Sequence, residues 1–274
     1  MPDFWLLLSG QMTWNWSLFV VCACTYCVYI WLITNYTALT WLSCKPMLFL
    51  VSMILLYAIV GSPLAVISHL SFSLHMIQMS ILYFLIPPLL LLGIPESLFQ
   101  KLTSKRFVKT TSRLRNVPIA SLYLFALLFL LYHLPFMLTV LVKIPMLQNA
   151  YLFVLFILSF GMWWPMVTPD PKNRLAANQM KRYAMNSGYI LLPACLLFIL
   201  TAFMDSGNNA LFNQLTVHLC LPPSLGYTDV LPSPFNTKYD QALSGFFMLG
   251  LHKVSLGMVM KYEGQIEVKS RYPD

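Results

Sequence analysis

Polar and apolar positions along this chain follow neither a strand period nor a single amphipathic helix period. Long, nearly unbroken apolar runs alternate with short polar ones. Seven runs have about the length that crosses a bilayer, at 17–34, 46–67, 72–93, 119–142, 147–168, 183–204 and 241–261. Since about 20 residues at ~1.5 Å each cover the ~30 Å hydrocarbon core, each run predicts one transmembrane helix. The expected fold is all-α: one polytopic membrane domain over 1–274, a bundle of seven transmembrane helices. The second run is loosened by Gly61 and Pro63, which leaves 62–71 as a short surface segment. Pro193 in the sixth is tolerable because neighbouring helices can re-satisfy the carbonyl it frees. No internal repeat is visible, which speaks against a transporter built from inverted halves.

The third run is the one the others are expected to arrange around. It opens with polar and metal-capable side chains from His69 to Gln78, turns aliphatic, breaks at Pro87-Pro88 and stops at Gly93. Ionisable groups at a membrane span are expensive and therefore point to function.

Composition agrees with a membrane protein: 58% of the residues are hydrophobic and 9% charged, with mean hydropathy +0.70, against roughly 25% charged in a soluble domain. The net charge of +8 then reports topology, not affinity for nucleic acid. Fourteen of the 17 basic residues fall at Lys45, in the 94–118 and 169–182 loops, or after residue 260. The positive-inside rule puts that side in the cytoplasm, with the N-terminus outside and the C-terminus inside. The loop 205–240 is then extracytoplasmic. It is poor in basic charge, rich in proline and longer than the ~15 residues beyond which loops are usually functional or disordered.

No basic residue precedes Lys45, so no cleavable leader is expected, and Trp5, Trp14 and Trp16 look like interface anchors. Cys22, Cys24, Cys27 and Cys195 lie in apolar runs. Cys44 and Cys220 fall on opposite sides of the membrane, so no disulfide framework is expected.

Candidate chemistry centres on histidine. On this topology His69 is at the outer mouth of the third span, His75 about 5 Å inside it, His133 about 13–15 Å below the outer end of the fourth span, and His252 about 18 Å down the seventh. His218 belongs to the outer loop. The cytoplasmic side has no histidine. Met79 follows His75, Met137 follows His133 and Met248 precedes His252, each by four residues and so on one helical face. Imidazole with thioether suits copper, Cu(I) above all. The plainer reading makes each histidine a hydrogen-bonding core residue and each methionine a gap-filler; shared depth favours a metal site for the set. Asp240 opens the last span, as an ordinary helix cap or as an outer-face ligand. Trp163-Trp164 reads as an interfacial aromatic pair. No phosphate loop, nucleophile elbow or Cys-x-x-Cys pair is present, and no enzyme activity is expected.

Ser71-Phe72-Ser73-Leu74-His75-Met76-Ile77-Gln78, with Pro87-Pro88-Leu89-Leu90-Leu91-Leu92-Gly93-Ile94-Pro95, resembles the signature of the CtaG family of cytochrome c oxidase assembly factors, bacterial proteins associated with the caa3-type oxidase. His133-Leu134-Pro135, Trp163-Trp164-Pro165 and Asp240-Gln241 with Gly245 fall where that family's later motifs would. Where the family pattern has further histidines, this chain has Met79 and, in the fifth span, Gln148 or Tyr151. The resemblance implies a role in maturing the copper-containing oxidase, by supplying or inserting copper.

Residues and resemblance together lead to one expectation. The protein is an assembly factor in the bacterial plasma membrane that handles copper at its outer side. The donor pool is His75, Met79, His133, Met137, Met248 and His252, with His69 and Asp240 at the entrance. An oxidase subunit or another assembly factor is the expected partner; self-association is left open. The alternatives are a haem-binding membrane protein that uses two of the histidines as axial ligands, and a metal-free scaffold for an oxidase subunit.

Overall fold

The computed structural model describes residues 14–68, 71–102, 117–170, 173–204 and 238–271. Among the described residues the secondary structure is helical, with no strand. In chain order the helices are α1 (Trp16–Tyr36), α2 (Cys44–Gly61), α3 (Leu64–Ser68), α4 (Phe72–Gly93), α5 (Glu96–Leu102), α6 (Val117–Tyr132), α7 (Pro135–Lys143), α8 (Pro145–Val167), α9 (Ala177–Met204) and α10 (Lys238–Arg271). Six of them (α1, α2, α4, α8, α9 and α10) are long and apolar enough to cross a membrane. The chain is a multi-pass membrane protein.

The fourth expected span departs from the sequence reading. The run 119–142 is not one helix but two, α6 and α7, interrupted at His133-Leu134. Pro135 is the cause. It has no N–H to donate, and its ring disfavours helical backbone at the residue before it. Leu134 is accordingly extended, at φ −76° and ψ 135°, and Pro135 starts α7 afresh. With 16 residues, α6 is about 24 Å long. Seven expected spans thus become six long helices plus the broken pair α6–α7.

Prolines shape the other helices by the same physics, because each frees the carbonyl four residues back. In α4, Pro87 and Pro88 withdraw the partners of Tyr83 and Phe84. The helix widens into a π turn over Ile81–Leu85, and the Ile86 N–H reaches back to the Ile81 carbonyl. The freed Tyr83 carbonyl accepts from Trp163 Nε1 of α8 at 3.1 Å. At the end of α2, Pro63 frees the Ile59 carbonyl, which accepts from Gln78 Nε2 of α4 at 2.9 Å. Both bonds pass between helices. Trp163 is therefore not an interfacial anchor: it is 1% exposed. Trp164 packs beside Phe99, ring centroids 6.0 Å apart.

The hub is α4. Two thirds of its apolar window (67%) is buried, against 17–39% for the other five long helices. Its N-terminal half packs along α10, and its C-terminal half against α2 and α8. Elsewhere small residues let backbones close in. A Cβ on Gly245 of α10 would lie 2.6 Å from the Cys195 carbonyl oxygen of α9, and one on Gly161 of α8 would collide with Ser121 of α6. At the edge of the bundle, α1 is held by the Tyr29–Phe49 ring stack, 3.9 Å between centroids, and by Tyr29 Oη donating to the Gly93 carbonyl at 2.5 Å. Cys22 is buried while Cys24 and Cys27 are exposed, so α1 does not aim the three thiols at one point.

Replacing Trp163 by Phe keeps most of the packing but removes the donor to Tyr83. The expected cost is about 1–3 kcal/mol, the penalty for one stranded buried acceptor. Trp164→Phe should change stability by no more than about 0.5 kcal/mol. Denaturant unfolding in detergent micelles measures both, and equal losses would remove this role from Trp163.

Candidate functional site: a histidine pair beneath a carboxylate-capped helix

The N-terminus of α4 leaves backbone N–H groups without helical partners. Ser71 is its N-cap, the hydroxyl accepting from the Leu74 N–H at 3.2 Å. A second cap comes from another helix. The Asp240 carboxylate accepts from the Phe72 N–H at 2.9 Å, from Ser71 Oγ at 3.2 Å, and from the N–H and hydroxyl of Ser73. Asp240 stands in the first turn of α10, yet its charge is spent on the positive end of α4. The residue is 1% exposed. Beside it, Gln241 Nε2 donates to Thr201 Oγ1 of α9 at 2.7 Å, tying the third helix into the same polar layer.

Below this layer lie His75 and His133, with ring centroids 6.3 Å apart. His75 projects from the first turns of α4. His133 sits in the break that Pro135 makes, and the break decides its chemistry. In an unbroken helix the His133 N–H would bond the Phe129 carbonyl; here it turns to Leu130 at 3.1 Å. The Phe129 carbonyl is met instead by the His133 ring, at 2.7 Å from Nδ1. A carbonyl only accepts, so Nδ1 carries the proton and Nε2 presents its lone pair. That Nε2 is buried with no hydrogen-bond partner. An imidazole fixed through one nitrogen by a backbone carbonyl, with the other free and desolvated, matches the usual preparation of a metal-ligating histidine.

Aromatic rings close around the pair. Phe129, Tyr132 and Phe198 lie 4.6, 5.0 and 5.0 Å from the His133 ring, and Tyr132 is 6.5 Å from His75. Tyr132 bonds the Gln148 side chain and neighbours Tyr151 at 5.8 Å. Gln148 and Tyr151 of α8 therefore both adjoin Tyr132, which packs on the pair. Tyr132 itself was not singled out from the sequence, because a tyrosine inside an apolar run is indistinguishable from core.

The remaining candidates separate by depth. Asp240 meets Phe72, and the His252 ring meets Phe84 at 5.0 Å. The helices α4 and α10 therefore run parallel in one register. His252 is level with Phe84, nine residues past His75, or about 13 Å along the axis at ~1.5 Å per residue. It is 2% exposed, lies 6.1 Å from Trp163, and its Nδ1 is buried without a partner. Met248, 1% exposed, falls level with Ser80, between the two histidine levels. Met79 is 4% exposed, one turn along from His75. Met137 packs at the margin of the main core from α7. His69 lies outside the described residues, as does Cys220. Among the described residues no three His, Cys, Asp or Glu side chains gather as a metal cluster. Any soft-metal sphere here draws on thioether or carbonyl donors beside the histidine pair.

A family model described as cytochrome c oxidase caa3 assembly factor (Caa3_CtaG) matches residues 25–262. The match covers most of the chain, and the chain belongs to this family. Neither the curated proteins nor the solved structures compared with it include a match.

If the Asp240 carboxylate caps α4, Asp240→Ala strands the Phe72 N–H and two serine hydroxyls. The variant should lose about 1.5–3 kcal/mol, the range for hydrogen bonds to a charged group, with Asp240→Asn losing less. Thermal unfolding in detergent reads the difference; an unchanged midpoint in the alanine variant would refute the cap.

Proposed function

From membership of a cytochrome c oxidase assembly family, we propose that this protein handles copper as cargo near the outer surface of the plasma membrane, for insertion into an oxidase subunit. The observation that carries the reading is His133 Nε2: a buried lone pair without a partner, 6.3 Å ring to ring from His75, on an imidazole already pinned through Nδ1. With Met79 one turn along α4 from His75 as a thioether neighbour, the donor set favours Cu(I) over a hard cation; the break at Leu134 takes Met137 off the helical face of His133. His252, with Met248 one turn above it on α10, gives a second station about 13 Å further in. One coordination sphere does not reach both levels, so the arrangement favours stepwise transfer. The role is non-catalytic: copper is moved and no bond of an organic substrate is made or broken.

The topology that places these donors outside rests on the basic 94–118 and 169–182 loops, which put the C-terminus in the cytoplasm. On that topology α6–α7 supply one further crossing, their break absorbing part of the bilayer thickness beside protein, where irregular backbone is tolerated. Asp240 then stands at the outer mouth.

Loading the purified protein with Cu(I) and removing excess ion tests the reading. The wild-type chain should retain copper, and His75→Ala with His133→Ala should retain at least about tenfold less, as for loss of well-supported ligands. Oxidase activity in cells carrying the double variant should fall in step. A Soret band in the isolated protein would replace copper with haem. Full oxidase activity in the double variant would leave only a metal-free scaffold.

A further inference from the structure

A groove of about 600 Å³ runs between α9 and α10, away from the His75–His133 pair. Lys181, Gly188 and Tyr189 line one wall, and His252, Lys253 and Gly257 the other. Two glycines line it, and a Cβ built on Gly188 or Gly257 would meet nothing within 4 Å. Gly250, Lys253 and Gly257 recur at helical spacing on one exposed stripe of α10. In the middle of a helix glycine costs stability. In membrane spans it is the residue that lets another helix come close.

Lys253 makes this more than an open apolar face. Along the α10 span it lies about 22 Å from the Lys238 end and about 14 Å from the Tyr262 end. Side chains on a helix lean toward its N-terminus, so the preferred rotamers carry this ammonium away from the nearer end. A cation at such depth needs a countercharge or water. The six long helices, together with α6 and α7, contain one acidic residue within their apolar spans, Asp240. It is buried, bonded to the start of α4, and about 20 Å along α10 from Lys253. Among the described residues, neither this chain nor a second copy of it offers a carboxylate at the level of Lys253. Acyl chains carry no charge there, and lipid phosphates sit nearer the membrane surface.

We propose that the groove receives a transmembrane helix of another protein, one that carries an aspartate or glutamate level with Lys253. The glycines admit its backbone, and the ammonium pairs with its carboxylate in low dielectric. The surface makes the protein a receptor for one membrane-embedded client segment and does not depend on copper being bound.

The test uses the full-length protein in phosphatidylcholine–phosphatidylglycerol vesicles with an acceptor dye at its C-terminus. The probes are three donor-labelled leucine-rich transmembrane peptides that differ at one central position: Glu, Gln or Leu. Förster transfer should show the Glu peptide associating at least tenfold more strongly than the Leu peptide, with Gln between. Lys253→Leu should abolish the preference, Lys253→Arg should keep it, and Gly257→Leu should weaken binding of all three. Equal binding of the Glu and Leu peptides to the wild-type protein overturns the proposal without recourse to any variant, and so does a preference that survives Lys253→Leu. If Lys253→Leu instead lowers co-purifying phosphatidylglycerol and leaves peptide binding unchanged, the groove belongs to lipid and the proposal fails. None of these readouts involves metal, so the copper reading stands or falls separately.

Discussion

In hydrocarbon there is no water to accept from or donate to a stray backbone group, and each one left unpaired costs several kcal/mol. This chain places Pro63, Pro87, Pro88, Pro135, Pro165 and Pro193 within or beside apolar segments, and each raises the question of where the freed carbonyl finds a donor. For Tyr83 and Ile59 the donors are Trp163 and Gln78, side chains that reach across from neighbouring helices. The fold is knit at those points: correcting a local defect requires a particular residue on a different helix, which fixes how the helices sit.

The same constraint makes the histidine pair. Pro135 ends α6 at Tyr132, the backbone tightens at His133, and the Phe129 carbonyl is left for the imidazole to satisfy. An unbroken helix would have consumed that carbonyl and left the ring tautomer unset. The partnerless ring nitrogen at this position is thus a by-product of a helix defect. The carboxylate of Asp240 plays the complementary part at the other helix end, where four N–H groups are without partners instead of a carbonyl. By anchoring α4 to α10 in a fixed parallel register it also sets the depths at which His75, Met248 and His252 stand.

Two kinds of surface follow from this packing. Around α4, polar groups point inward and are nearly all matched, and the exceptions, such as His133 Nε2 and His252 Nδ1, are where a ligand would be felt most. On α10 the pattern inverts. Its inward face is dense and its outward face carries glycine and a single deep cation.

Apolar runs, cation-rich loops and the family-like motif of the third span were all legible in the sequence, because hydrophobic length and charge bias are local properties of the chain. So was the central standing of 72–93, through its unusual mixture of Ser, His and Gln with aliphatic residues. Pairing was not. That Trp163 belongs to Tyr83, that Asp240 caps a helix remote in sequence, and that His75 meets His133 depend on which helices pack together and in which register. Nothing in one-dimensional spacing encodes those choices. The break at His133 was half visible, since Pro135 announces it. What became of the carbonyl it freed was decided only when the surrounding helices had excluded water.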